Sequence, residues 1–268
     1  MENIHTFVVL AYKESEYLEE CIKSVLNQSI KTNVVIATAT PNDFIYKMAE
    51  KYNLNVIVNE NHKNIGGDFN FAVQCANTEL VTVAHQDDIY DFNYVEKVIN
   101  HYRMYPKSLI VFTDYYEIRN GSKQLENTNL KIKRMLLVPI KNMKKSDRNW
   151  RKRSILRFGD SICCPAVTFS KKNIDKETLE KLFICDFKCN VDWYTWELLS
   201  KKSGNFIFVS EALMGHRISE ESTTSKIIAE NTRTKEDLIM LKKFWPSWIA
   251  KIINKLYSKS EKSNNLKK

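Results

Sequence analysis

Glycine and proline are both scarce in this chain of 268 residues, with six and five copies. That excludes collagen-like and linker-rich classes. No apolar run approaches the roughly 20 residues needed to cross a bilayer. Residues 1–15 lack the basic-then-apolar order of a secretory signal. A cytoplasmic location is therefore expected. Cysteine occurs six times, at 21, 75, 163, 164, 185 and 189. Neither Cys163 with Cys164 nor Cys185 with Cys189 has a histidine at zinc-site spacing, so reduced, packed thiols are expected.

What is present supports a folded domain: 43% of residues are hydrophobic and 27% charged. The length suits one large domain, or a domain with an appendage. The formal charge of +9 is unevenly spread: residues 131–157 carry +10, residues 230–268 carry +6, and the remainder carries −7. An acidic body with two basic segments suggests one site that gathers cations and another surface that meets an anionic partner.

Strand and helix patterns alternate along the first half. A compact apolar run at 7–10 precedes a helical pattern through Tyr17, Leu18, Cys21, Ile22, Val25 and Leu26, with Ser15 as candidate N-cap. A strand at 33–37, a helix over 44–52 capped by Asn42 or Asp43, and a strand at 56–58 follow. The order βαβαβ predicts a doubly wound α/β sheet. A polar loop at 59–68 containing Gly66-Gly67 then leads to a helix over 69–76. The glycine pair permits close backbone approach to a ligand, although its ordinary role is a turn.

Residues 80–92, LVTVAHQDDIYDF, are the centre of the sequence. Leu80, Val81, Val83 and Ala84 read as a covered parallel strand that delivers His85, Gln86, Asp87 and Asp88 to its C-terminal edge. Adjacent aspartates there are costly unless a cation neutralises them, and that edge is where open α/β sheets bind ligands. Alternatively, Asp88 caps the helix expected from residue 93 to 102 and Asp87 is merely solvated. A strand at 109–113 ending at Asp114 completes this half.

Several blocks in order resemble an inverting family 2 glycosyltransferase with the GT-A fold: VVLAYKESEYLEECIKSVLNQS, NIGGDFNFAVQCANTELVTVAHQDD, CNVDWYTWELL and LMGHRISEESTT. The resemblance covers about residues 6–224. It departs at Ala11, where the family commonly has Pro, and at residues 38–43, where its second strand usually ends in an acidic pair followed by Gly and Ser. Hydroxyl and amide groups there retain hydrogen-bonding capacity.

The resemblance implies a mostly parallel α/β sheet flanked by helices. The nucleotide-sugar half is expected at 1–115, an acceptor half at 116–229, and a basic amphipathic helical tail at 230–268. It implies transfer of a sugar from a nucleotide-diphosphate donor, with UDP the expected nucleotide, to a hydroxyl of a glycan or lipid-linked acceptor. Mn2+ or Mg2+ would be held by Asp88 and His216, Asp192 would be the general base, and Arg217 would lie near the phosphates. Donor contacts would come from Ala11, Tyr12, Glu14, Thr40, Asn64, Gly67, Asp68, Asn70, Gln86 and Asp87. Without the resemblance, Asp192 would read as an ordinary helix-start carboxylate and His216 as a structural histidine.

The basic stretch 131–157 reads as a mobile acceptor loop or a solvated excursion. In the tail, Phe244, Trp245, Trp248, Ile249, Ile252, Ile253, Leu256 and Tyr257 recur at helix spacing among lysines. That composition suits a helix lying on an anionic membrane surface, peripheral at the inner face of the cell membrane, or one packed on the body or on a second subunit of a homo-oligomer. A nucleic-acid protein is disfavoured because residues 131–157 hold few stacking aromatics and the body is acidic. A non-catalytic nucleotide-sugar binder remains the alternative.

Overall fold

Alternation along the first strand divides the core. In β1 (His5–Ala11), Phe7 and Val9 join one buried cluster while Val8 joins the other, as the two-residue period of a strand requires. The computed structural model describes residues 3–184, 186–218 and 223–265. Residues 219–222 of the LMGHRISEESTT block, and Cys185, lie outside them.

Strands β2 (Asn33–Thr38), β3 (Asn55–Val58) and β4 (Leu80–His85) run parallel to β1 in the order β3-β2-β1-β4. The sheet then departs from a purely doubly wound plan. β8 (Val167–Ser170) pairs antiparallel to both β4 and the long β6 (Ser108–Arg119). β6 pairs parallel with β9 (Asn205–Ile218), and the two-residue β5 (Ile89–Tyr90) closes the far edge antiparallel to β9. A short β7 (Ser122–Gln124) pairs with the end of β6.

Helices cover both faces. On one side α1 (Leu18–Leu26), α2 (Asp43–Lys51) and α4 (Tyr94–Met104) pack their buried residues with Phe7 and Val9. On the other side α3 (Ile65–Cys75) and α8 (Val191–Ser200) pack with Val8, and Trp193, Trp196 and Leu199 are buried as their helical spacing predicts. Asn42, not Asp43, caps α2 through the Ile45 N–H at 3.0 Å. Ser15 does not cap α1. It closes the preceding turn instead, its carbonyl accepting from Leu18 at 3.2 Å.

Two segments differ from their sequence expectation. Gly66 and Gly67 lie inside the first turn of α3, whose cap is Asn64, accepting from Gly67 N–H at 2.8 Å. A Cβ on Gly66 would fall 2.3 Å from the Phe183 carbonyl, so this glycine serves helix packing rather than a loop. The basic stretch is not a loop either. It folds into α5 (Thr128–Leu136), two 3-10 turns and α6 (Asn149–Ser154), anchored by buried Leu130, Ile140, Ile155 and Leu156. Beyond α7 (Lys176–Glu180), the chain ends in α9 (Thr223–Lys242) and α10 (Ser247–Asn265). Met240, Leu241 and Ala250 of these helices are fully buried against the body.

Candidate active site

β4 delivers Asp88 to the sheet edge in a tight turn, its N–H donating to the His85 carbonyl at 3.1 Å. The Asp88 side chain is buried and does not cap α4, which removes the helix-cap alternative. Its Oδ1 accepts from His216 Nδ1 at 3.0 Å and from the Arg217 backbone N–H at 2.9 Å, so the end of β9 is fastened to the end of β4. Its Oδ2 is buried without a hydrogen-bond partner, as is His85 Nε2. Burial and the neighbouring Asp88 charge together raise the Asp87 carboxyl above its ordinary pKa. Burial works against a charged His216, but the Asp88 carboxylate outweighs it and holds the imidazole pKa above its usual value.

Arg217 braces the same corner. Its Nε donates to the Asp87 carbonyl at 2.9 Å, its Nη2 pairs with Glu20, and its guanidinium lies 4.1 Å from the Tyr17 ring centre. These contacts belong to the frame of the site, in addition to the phosphate proximity expected for this residue.

Beside the corner is a cavity of about 490 Å³. Ala11, Tyr12, Asn64, Asp68, Gln86 and Asp87 are among the residues that line it. Gln86 fixes the Tyr12 backbone twice, accepting from its N–H at 2.9 Å and donating to its carbonyl at 3.0 Å. Lys13, with φ of 54°, donates to the Thr40 hydroxyl at 2.6 Å, so Thr40 shapes the loop without lining the cavity. Gly67 likewise acts through the helix cap, and Glu14 is exposed away from the lining. Asn70 is directed elsewhere: its amide donates to the Glu180 carbonyl at 2.8 Å and accepts from Phe183 N–H at 3.4 Å.

The cavity also contains residues that periodicity does not mark. Phe69 stacks on His85 with ring centres 5.2 Å apart, and His62 donates to Asp68 at 2.9 Å. The only sequence signal for either was proximity to the Asn64–Asn70 block.

Asp192 sits in the first turn of α8, its Oδ1 accepting from Trp193 N–H at 2.8 Å. Its carboxyl is within hydrogen-bonding reach of the Asp160 carboxyl, which burial, and then the Asp192 charge, push well above the ordinary carboxylate range. Asp160 carried no sequence signal. The loop entering α8 is held from α9, because Glu236 accepts the backbone N–H groups of Lys188 and Cys189 at 2.8 Å and of Asn190 at 3.0 Å.

Residues 6–176 match the sequence model described as "Glycosyl transferase family 2". The chain belongs to this family. It is a glycosyltransferase with the mixed α/β GT-A fold. Among solved structures it resembles S. aureus TarS 1-349 in complex with UDP-GlcNAc at 16% identity and TM-score 0.59, covering 93% of this chain and 70% of that one. It also resembles the mannosyltransferase PcManGT from Pyrobaculum calidifontis in complex with GDP-Man and Mn2+, at 13% identity and TM-score 0.63, over 96% of this chain and 70% of that one. No curated protein matches.

Among the described residues, no three His, Cys, Asp or Glu side chains form a group that would hold a metal unaided. The orphaned, buried Asp88 Oδ2 still fits a hard divalent cation, because such ions accept few carboxylates when substrate phosphates supply the remaining oxygens.

Proposed function

We propose that this family 2 enzyme transfers a sugar from a UDP-linked donor to a hydroxyl of a glycan or lipid-linked acceptor, with inversion at the anomeric carbon. The observation that carries this reading is the orphaned Asp88 oxygen beside a cavity of about 490 Å³ lined by Asp87. A buried carboxylate oxygen with no hydrogen bond, and only the His85 ring 3.9 Å away, calls for a cation, and the adjoining space suits a nucleotide.

Asp88 and His216 would hold Mn2+ or Mg2+, which when bound would offset the charge of the leaving diphosphate. Tyr12, Asn64, Asp68 and Gln86 orient the donor from the lining of the cavity. Asp192 takes the proton of the acceptor hydroxyl as its oxygen attacks the anomeric carbon. The bond from that carbon to the diphosphate oxygen breaks in the same displacement, the nucleoside diphosphate departs, and no covalent enzyme intermediate forms. The work takes place at the inner face of the cell membrane, where a lipid-linked acceptor is available.

Thermal shifts with UDP, GDP and UDP-sugars, with and without Mn2+, test the donor half. UDP should stabilise the protein only with the metal, and Asp88→Asn should abolish that gain. Stabilisation by GDP alone would overturn the nucleotide assignment. Asp192→Asn should keep donor binding and lose transfer. Undiminished transfer by that variant would overturn the base, and donor binding by a wild-type protein that transfers to no hydroxyl would favour the non-catalytic alternative.

A further inference from the structure

An aromatic cleft with an excess of positive charge opens between α6 and the α9–α10 junction. Its volume is about 480 Å³, and its walls include Trp150, Phe244 and Trp245, with Arg153 and Arg157 between them. The arginines lie against the rings. Arg153 lies 4.8 Å from the Phe244 centre, and Arg157 lies 4.9 Å from Phe158 and 5.6 Å from Trp245. Trp245 is fixed in turn, its Nε1 donating to the Arg157 carbonyl at 2.7 Å. This is a built surface.

Its charge is not balanced from within. Glu197 meets Arg153 at 2.6 Å, Lys201 at 2.7 Å and Lys243 at 3.6 Å, so one carboxylate faces three cations. Arg157 has no carboxylate partner among the described residues. The rim is apolar as well as cationic. Trp150 is 60% exposed, and on α10, which starts two residues after Trp245, Trp248, Ile252 and Leu256 are 67%, 54% and 63% exposed. Their spacing of four places them along one helix face. No helix among the described residues is long and apolar enough to cross a membrane.

We propose that this cleft and the exposed face of α10 together dock the phosphate head groups of anionic phospholipids at a bilayer surface. Guanidinium groups pair well with phosphate, tryptophan favours the head-group level, and the α10 face has the apolar character that the acyl boundary accepts. A nucleic acid would satisfy the charge but not the aliphatic face. The proposal rests on the membrane part of the function stated above and adds α6 and the α9–α10 junction to it. Glu197 is five residues from Asp192 on α8, about 7.5 Å along the axis, so docking here would hold the acceptor side of the enzyme close to the lipid.

The test is flotation of the full chain with phosphatidylcholine vesicles, with and without phosphatidylglycerol, at low and physiological salt. Binding should require phosphatidylglycerol and weaken with salt. Trp150→Ala combined with Arg157→Glu should bind about tenfold more weakly, with unchanged melting and unchanged UDP binding. Unaltered binding by that variant, with loss in Trp248→Glu/Ile252→Glu, would overturn the cleft while leaving the membrane reading intact. Absence of binding by the wild type would overturn both. A variant-sensitive response to inorganic phosphate or to a labelled oligonucleotide, with none to vesicles, would replace the lipid with a free anion or a nucleic acid.

Discussion

The Glu236 carboxylate accepts the backbone N–H of Asn190 at 3.0 Å, two residues ahead of Asp192. It takes the N–H groups of Lys188 and Cys189 as well, and Asp237 accepts from the Asn190 side chain at 2.7 Å. α9 therefore sets where α8 begins. Glu236→Ala would leave three backbone donors without their acceptor at a cost of ~2–4 kcal/mol. Urea denaturation should report that loss, and kinetics should report a fall in kcat larger than any rise in donor KM, because the cavity proposed for the donor is lined from other elements. An equal effect on both would sink the positioning role.

The Asp160–Asp192 pair predicts a pH effect. With its carboxyl pKa raised by burial and by Asp192, Asp160 binds a proton in the folded state at pH values where the unfolded chain has released it. Stability contributed by that proton is present near the ordinary carboxylate pKa and is lost as pH rises toward the folded value. Asp160→Asn removes this dependence. The variant should gain stability relative to wild type as pH rises, measured by thermal melts across pH, and should retain transfer at neutral pH.

His5 works in the other direction. It is fully buried between Thr32 at 2.7 Å and Thr82 at 2.9 Å, and burial lowers its pKa from 6.5 to about 3. The unfolded chain takes up the proton first, so stability should fall by up to ~1.4 kcal/mol per pH unit below pH 6.5, approaching a limit near pH 3. His5→Gln should flatten that slope in equilibrium unfolding measured between pH 7 and 4.

Gly66→Ala tests the packing of α3. Its Cβ would lie 2.3 Å from the Phe183 carbonyl, forcing backbone to move. The expected loss is ~2 kcal/mol, whereas Gly67→Ala, with nothing nearer than 3.5 Å, should be tolerated. Equal melting of the two variants would contradict this account.

The parallel half of the sheet was legible because β1, β2 and β4 are apolar runs ending in polar turns, a pattern that burial on both faces imposes. The antiparallel return through β8 was not, since Val167–Ser170 has only four residues and its pairing with β4 and β6 depends on partners far away in sequence. Local propensity likewise misplaced the start of α3, because a glycine pair suggests a turn until a neighbouring carbonyl requires the missing Cβ. Asp87 and Asp88 were visible as a pair, but which of them is enclosed was decided by His216 and Arg217 arriving from β9. Asp160 and Glu236 were illegible for the same reason: a single carboxylate has no periodicity, and each acquires its role from a partner more than 30 residues away.

The two residues of β5 pair only with β9, Ile89 opposite Gly215 and Tyr90 opposite Met214. During synthesis the chain must therefore grow by about 125 residues after β5 before that strand has its neighbour. At ordinary translation rates this takes roughly 6–25 s. A ribosome-bound chain stopped before β9 would have the parallel strands beside the cavity but no fastening for Asp88. The Asp88 corner therefore forms only once β9 has emerged, and a fragment that stops short of β9 should lack it.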